Sequence, residues 1–156
     1  MTTEPTTRRD LLQSLGALSL LVLASPPGEA AAQAPGPARV DTKGLTAKIK
    51  FESVLDGYLT ELNGKYKLRV TELVLEPGGS VGEHHHAGPG IRQVTSGTMT
   101  YILPDKTLVY GPGDFFFESG NVNHTAQNRT DAPMVHVLFE ILPADHKGPS
   151  IMPVKH

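Results

Sequence analysis

From Lys67 onward the chain offers only short apolar runs, each ended by a turn signal. No stretch of helical length in this half keeps a 3.6-residue apolar period, so an amphipathic helix has nowhere to form. The runs suit strands instead. Lys67 to Glu76 is rich in β-formers, and Pro77-Gly78-Gly79-Ser80 is expected to break it. Ile91 to Thr95 is a short strand ended by Ser96-Gly97. Met99 to Leu103 and Thr107 to Tyr110 flank Pro104-Asp105-Lys106, a hairpin turn. Gly111-Pro112-Gly113-Asp114 is a second turn, Phe115-Phe116-Phe117 a buried strand, and Met134 to Leu142 the last long strand. Ile49 to Leu62 suits a strand, a short helix or both. Strands at this spacing, without an internal repeat, predict an all-β fold, either a closed β-barrel or a jelly roll.

Composition agrees. Glycine (16) and proline (13) make up almost a fifth of 156 residues, which disfavours a helical bundle. The chain is the length of one domain. Fourteen basic residues against 16 acidic ones give no basic excess, so no nucleic-acid partner is expected. With no cysteine, disulfides, thiolate metal ligands and thiol nucleophiles are excluded from this sequence.

The N-terminal segment reads as an address. Arg8-Arg9 precedes an apolar run from Leu11 to Ala24, and Ala30-Ala31-Ala32 forms an A-x-A cleavage site. The run is too short to span a bilayer as a helix, which takes about 20 residues. Thr7-Arg8-Arg9-Asp10-Leu11-Leu12-Gln13 resembles the twin-arginine (Tat) export consensus, with Leu11 and Gln13 replacing its usual Phe and Lys. The alternative is an ordinary Sec signal with paired arginines. Residues 1–32 are thus expected to be an export signal and 33–45 a flexible arm. Residues 46–142 form the barrel and 143–156 a tail. Residues 33–156 hold no second long apolar run, so a periplasmic or extracellular protein without a membrane span is expected.

Histidines carry the chemistry. In Glu83-His84-His85-His86, strand alternation turns His84 and His86 to one face and His85 to the other. His124 follows a later turn. Imidazoles converging from different strands inside a barrel suit a divalent metal. Three consecutive histidines also suit a solvated loop.

Around them the sequence resembles the cupin superfamily. Gly78, His84, His86 and Gly97 fall on its first motif, with Gly90 at the position of the motif glutamate. Gly113, His124 and Asn128 fall on the second, with Ser119 and Asn121 replacing its Pro and Gly. The resemblance implies a small single-domain cupin barrel with one metal ion on His84, His86 and His124. Gly78, Gly97, Gly111 and Gly113 are expected at turns needing positive φ or close packing.

Gly90 leaves the expected site without its carboxylate. Three neutral ligands would leave a divalent ion its full charge, favouring an anionic substrate. The ligand set is similar to those of thiol dioxygenases and β-diketone-cleaving dioxygenases. The opposite reading is a degenerate, non-catalytic cupin. Glu83, Glu118 and Gln93 are candidates to replace the carboxylate; alternation turns Glu83 and Gln93 away and leaves Glu118 open. Arg92 should face inward, either to hold a substrate anion or to pair with Glu118, unless a bulge turns it outward. His136 is either a neighbour of the ligands or a plain strand histidine. His146 and His156 are expected in solvent. Phe115, Phe116, Phe117 and Phe139 are expected mostly in the core, with one or two on the pocket wall.

The resulting expectation is an exported, metal-dependent, dioxygenase-like enzyme for a small anionic organic substrate. The alternatives are a non-catalytic ligand-binding or sensing cupin, and a metal-assisted isomerase or lyase. Tat substrates are exported folded, which favours cytoplasmic loading of Fe or Mn over Zn, Ni, Co or Cu. The resemblance also admits a homodimer, with the arm before Leu45 available for strand exchange.

Overall fold

The structure is a computed structural model and describes residues 38–154. The export-signal reading, residues 33–37 of the arm, and His156 lie outside the described residues.

The described residues form nine strands: β1 (Thr42–Val54), β2 (Tyr66–His86), β3 (Gly90–Ser96), β4 (Met99–Ile102), β5 (Thr107–Tyr110), β6 (Phe115–Glu118), β7 (His124–Gln127), β8 (Met134–Pro143) and β9 (Ile151–Pro153). Among them no helix is long and apolar enough to cross a membrane. The strands run antiparallel in the order β5-β4-β7-β2-β8-β3-β6, with β1 and β9 also on β2. The result is a nearly closed jelly-roll barrel, as the turn spacing predicts.

β2 holds the barrel together, and it does not break at Pro77-Gly78-Gly79-Ser80. It changes neighbour there. Leu75 pairs Met134 of β8, whereas Ser80 pairs Gln127 of β7. Gly78 has φ +66°, which lets the strand bend without ending. A turn signal inside a long, doubly paired strand therefore acts as a corner.

The other boundaries are nearly as expected: Ile49 to Leu62 takes the strand alternative over its first part, and four corrections remain. β1 starts at Thr42, so the last four residues assigned to the arm are strand. The segment Ile49 to Leu62 is strand to Val54 and then tight turns, with Leu62 N–H donating to Leu59 O. The tail is structured: β9 pairs His84–His86, and Lys67 Nζ donates to His146 O at 2.7 Å. His146 is accordingly half-buried rather than solvated. Gly78, Gly97 and Gly113 have positive φ, but Gly111 does not; it donates its N–H to Asp114 Oδ2.

The last correction concerns the phenylalanines. Phe115 (60%), Phe117 (67%) and Phe139 (40%) are exposed. Their strands alternate, so only one phenylalanine of the triplet faces in. That residue is Phe116, stacked on Tyr110 with ring centroids 4.1 Å apart.

The apolar core gathers Leu75, Val81, Val94, Met99, Tyr101, Ala126 and Met134. Leu73, Leu138 and Leu142 are also buried, but much of the remaining interior is polar. Lys67, Arg69, His84, His86, Arg92, Glu118, His124, His136 and Glu140 are all buried. Buried charges must be paired or satisfied, so this load makes the barrel interior the place to look for a site.

Candidate metal centre

A change of parity in β2 places the histidines. From Lys67 to Leu75, and again at Val81, odd-numbered residues are buried; at His84 and His86 the buried positions are even. The β2–β7 register shifts between Val81 and His84. That bulge turns His84 and His86 inward and leaves His85 half-buried on the other side. His124 enters from β7 directly opposite His84.

One ring nitrogen of each histidine lies within 4.8 Å of those of the other two. Two of the three have Nδ1 held by a carbonyl oxygen, and the third, His86, makes no hydrogen bond there. His84 donates Nδ1–H to Gly82 O at 2.7 Å, and His124 donates to Val122 O at 3.0 Å. His86 Nδ1 lies 3.5 Å from Glu140 Oε1. An imidazole whose Nδ1–H is held by an outer acceptor offers the Nε2 lone pair, the usual arrangement of metal-bound histidines. Burial lowers the pKa of His84 to about 3, helped by His124. Burial also lowers His124 to about 4, against the opposing pull of Glu118. Both rings are therefore neutral at pH 7, as metal ligation requires. The donor set thus fits a divalent ion.

The remaining expected residues converge here too. Arg92 is buried and faces inward. Its Nε donates to Glu118 Oε2 at 2.5 Å, Nη1 to His136 Nε2 at 3.0 Å and Nη2 to His86 Nε2 at 2.5 Å. Arg92 is thus paired with Glu118. His136 is a neighbour of the cluster rather than a plain strand residue. Burial and Arg92 lower its pKa to about 3. Glu118 is lowered to about 2: burial alone would raise it, but Arg92, His86 and His124 outweigh that. Glu83 is exposed, and Gln93 is half-buried on the outward parity.

Two functional neighbours escaped the sequence reading. Glu140 lies on the inward parity of β8 with Met134, His136, Leu138 and Leu142, and that parity was readable. Tyr101 stacks on His124 with ring centroids 4.6 Å apart. Burial and the nearby Glu118 raise its pKa, so its hydroxyl stays protonated. No local signal separates it from a core tyrosine.

A cavity of about 300 Å³ opens on the cluster. Leu45, Leu73, Met99, Ala126 and Leu138 wall it, and Pro149 to Ile151 from the tail cover part of it. A second cavity of similar size, with Lys106 and Tyr110 on its wall, reaches His86, Tyr101, Glu118 and His124 from another side. The histidine cluster is therefore reachable from two directions.

A jelly-roll barrel with inward histidines on these strands defines a cupin fold with a three-histidine candidate metal site. Residues 71–140 match the Cupin_2 family, a cupin domain, which supports placement in the cupin superfamily. The chain is similar in structure to the polyketide cyclase RemF from Streptomyces resistomycificus (22% identity, 74% of each chain covered, TM-score 0.53). It is also similar to a cupin-like protein from Thermotoga maritima (27% identity, 69% of this chain and 75% of that one, TM-score 0.52). No curated protein matches the chain.

Proposed function

We propose that this protein is an exported, metal-dependent cupin enzyme acting on a small anionic organic substrate. One observation carries the reading: three buried imidazoles converge beside an apolar-walled cavity, with His84 and His124 fixed through Nδ1 to carbonyl oxygens. Such a pocket suits a small organic ligand, and the Arg92 guanidinium on its wall favours an anionic one.

A divalent ion on His84, His86 and His124 would supply Lewis-acid chemistry and, as iron, redox chemistry. The chain's own groups would do the rest. Arg92 borders the cavity and, released from His86 Nε2, could turn Nη2 to a substrate carboxylate or enolate. His136 holds Nη1 and keeps the guanidinium beside the cluster. Tyr101 offers a protonated hydroxyl to a substrate oxygen. The apolar wall excludes water from the bound substrate. Within this reading we favour dioxygenase-like chemistry with Fe or Mn. Its support is the likeness of the ligand histidines to those of dioxygenases and the resemblance of Thr7 to Gln13 to a twin-arginine consensus.

The test is metal content by mass spectrometry on protein exported through its own signal and purified without chelator or tag. Stoichiometric Fe, Mn, Ni or Co, followed by substrate-dependent O₂ consumption, supports the reading. Turnover without O₂ would instead mean an isomerase or lyase. One observation favours a second class, a non-catalytic ligand-binding cupin: Arg92 donates to the nitrogen of His86 that a metal would need. A folded protein that resists metal loading would establish that class.

A further inference from the structure

We propose that Glu118 supplies the carboxylate ligand that position 90 lacks, entering the metal site from the neighbouring strand. The proposal rests on the metal-binding reading above.

The register sets the exchange. Gly90 on β3 pairs Glu118 on β6 and, on its other side, Glu140 on β8. Position 90 itself is closed to a side chain. A Cβ there would lie 2.7 Å from Phe139 O and 3.1 Å from Leu138 Cδ1. The backbone oxygen cannot give way cheaply, so a glutamate at 90 would need β3 and β8 to part. The carboxylate is instead carried one strand sideways.

The hydrogen bonding points the same way. Glu118 Oε1 is buried without a hydrogen-bond partner and lies 3.2 Å from His124 Nε2. His124 turns Nδ1 to Val122 O and Nε2 to Glu118 Oε1, so a cation placed between the latter two atoms would meet both. On the other oxygen, that cation is already present in the chain. Arg92 bridges Glu118 Oε2 and His86 Nε2, two atoms 3.4 Å apart. A metal ion would therefore join His124 and Oε1 as the guanidinium joins His86 and Oε2. Ligation by His86 requires the guanidinium to move off its Nε2.

The experiment is Mn(II) titration of the metal-free full chain and of Glu118→Gln, by calorimetry and by electron paramagnetic resonance of free Mn(II). Glutamine keeps the shape and can still accept from Arg92, but it is a poor ligand for a hard cation. The expected result is a Kd raised at least the roughly 10–100-fold seen when even outer groups of a metal site are removed. An unchanged Kd overturns the proposal and leaves the three-histidine site standing. A wild-type chain that binds no Mn(II), Fe(II) or Co(II) overturns both. Should the variant not fold, infrared difference spectra of wild-type protein carrying ¹³C-labelled glutamate decide the matter. A shifted carboxylate stretch on Mn(II) addition supports ligation by a glutamate, and no carboxylate change overturns it.

Discussion

Replacing Arg92 with Met tests the polar interior most directly. The substitution keeps much of the side chain's apolar stem and removes a guanidinium that makes three buried hydrogen bonds, to Glu118, His136 and His86. Glu118 is then a buried carboxylate without its cation, and removing one partner of a buried ion pair typically costs about 3–5 kcal/mol. The cost has a ceiling, because Glu118 can take up a proton. Protonating a carboxyl of ordinary pKa 4.5 at pH 7 costs about 3.4 kcal/mol, which limits the electrostatic part. The assay is urea unfolding of metal-free protein at pH 7 for wild type, Arg92→Met, Glu118→Gln and the double variant. Arg92→Met should lose about 3–5 kcal/mol. The double variant should recover most of it, since a neutral pair of similar volume is often as stable as the ion pair it replaces. At pH 5 the loss in Arg92→Met should shrink, because protonation of Glu118 is then easier. An Arg92→Met variant as stable as wild type, or a coupling below about 1 kcal/mol, would refute the reasoning.

Three more outcomes are expected. The lowered pKa values of His84, His124 and His136 mean that the unfolded chain binds protons the folded one refuses below pH 6.5. Stability of the metal-free protein should therefore be complete above pH 6.5. It should fall by roughly 4 kcal/mol per pH unit between pH 6 and 5, and a urea midpoint that does not move across that interval would contradict the shifts. His84→Ala with His124→Ala should abolish metal binding by mass spectrometry, and stoichiometric retention would mean other ligands. Arg8→Lys with Arg9→Lys should stop export if the signal is of the twin-arginine type; undiminished periplasmic protein in a fractionation blot would point to Sec and remove the argument for Fe or Mn.

The sequence revealed what depends on near neighbours and concealed what depends on lateral ones. Strand ends from Ile91 to Tyr110 were legible because turn chemistry is local. The shared direction of His84 and His86 was legible because strand parity is local. Pro77-Gly78-Gly79 misled because a bend and a break use the same residues; only the second partner strand, whose Gln127 pairs Ser80, distinguishes them. The phenylalanine triplet misled because apolar side chains on both faces of an edge strand look like a buried one. Glu118 stayed open for a similar reason. Its place beside Gly90 is fixed by the β3–β6 register, and nothing within a few residues of either position encodes it.

The tail gives the cavity a dynamic character of its own. Its carbonyls at His146 and Gly148 are held by Lys67 and Arg69, each 79 residues earlier, and both cations also meet Glu52. Ile151 to Pro153 then lie along His86 to His84. Such a strap, anchored by few bonds, is expected to detach at less than the cost of global unfolding. Detachment would strip one neighbour from the strand that carries two of the three histidines. Entry to the cavity and the rigidity of the imidazoles should then change together, and amide exchange at His84–His86 should report the opening of the pocket.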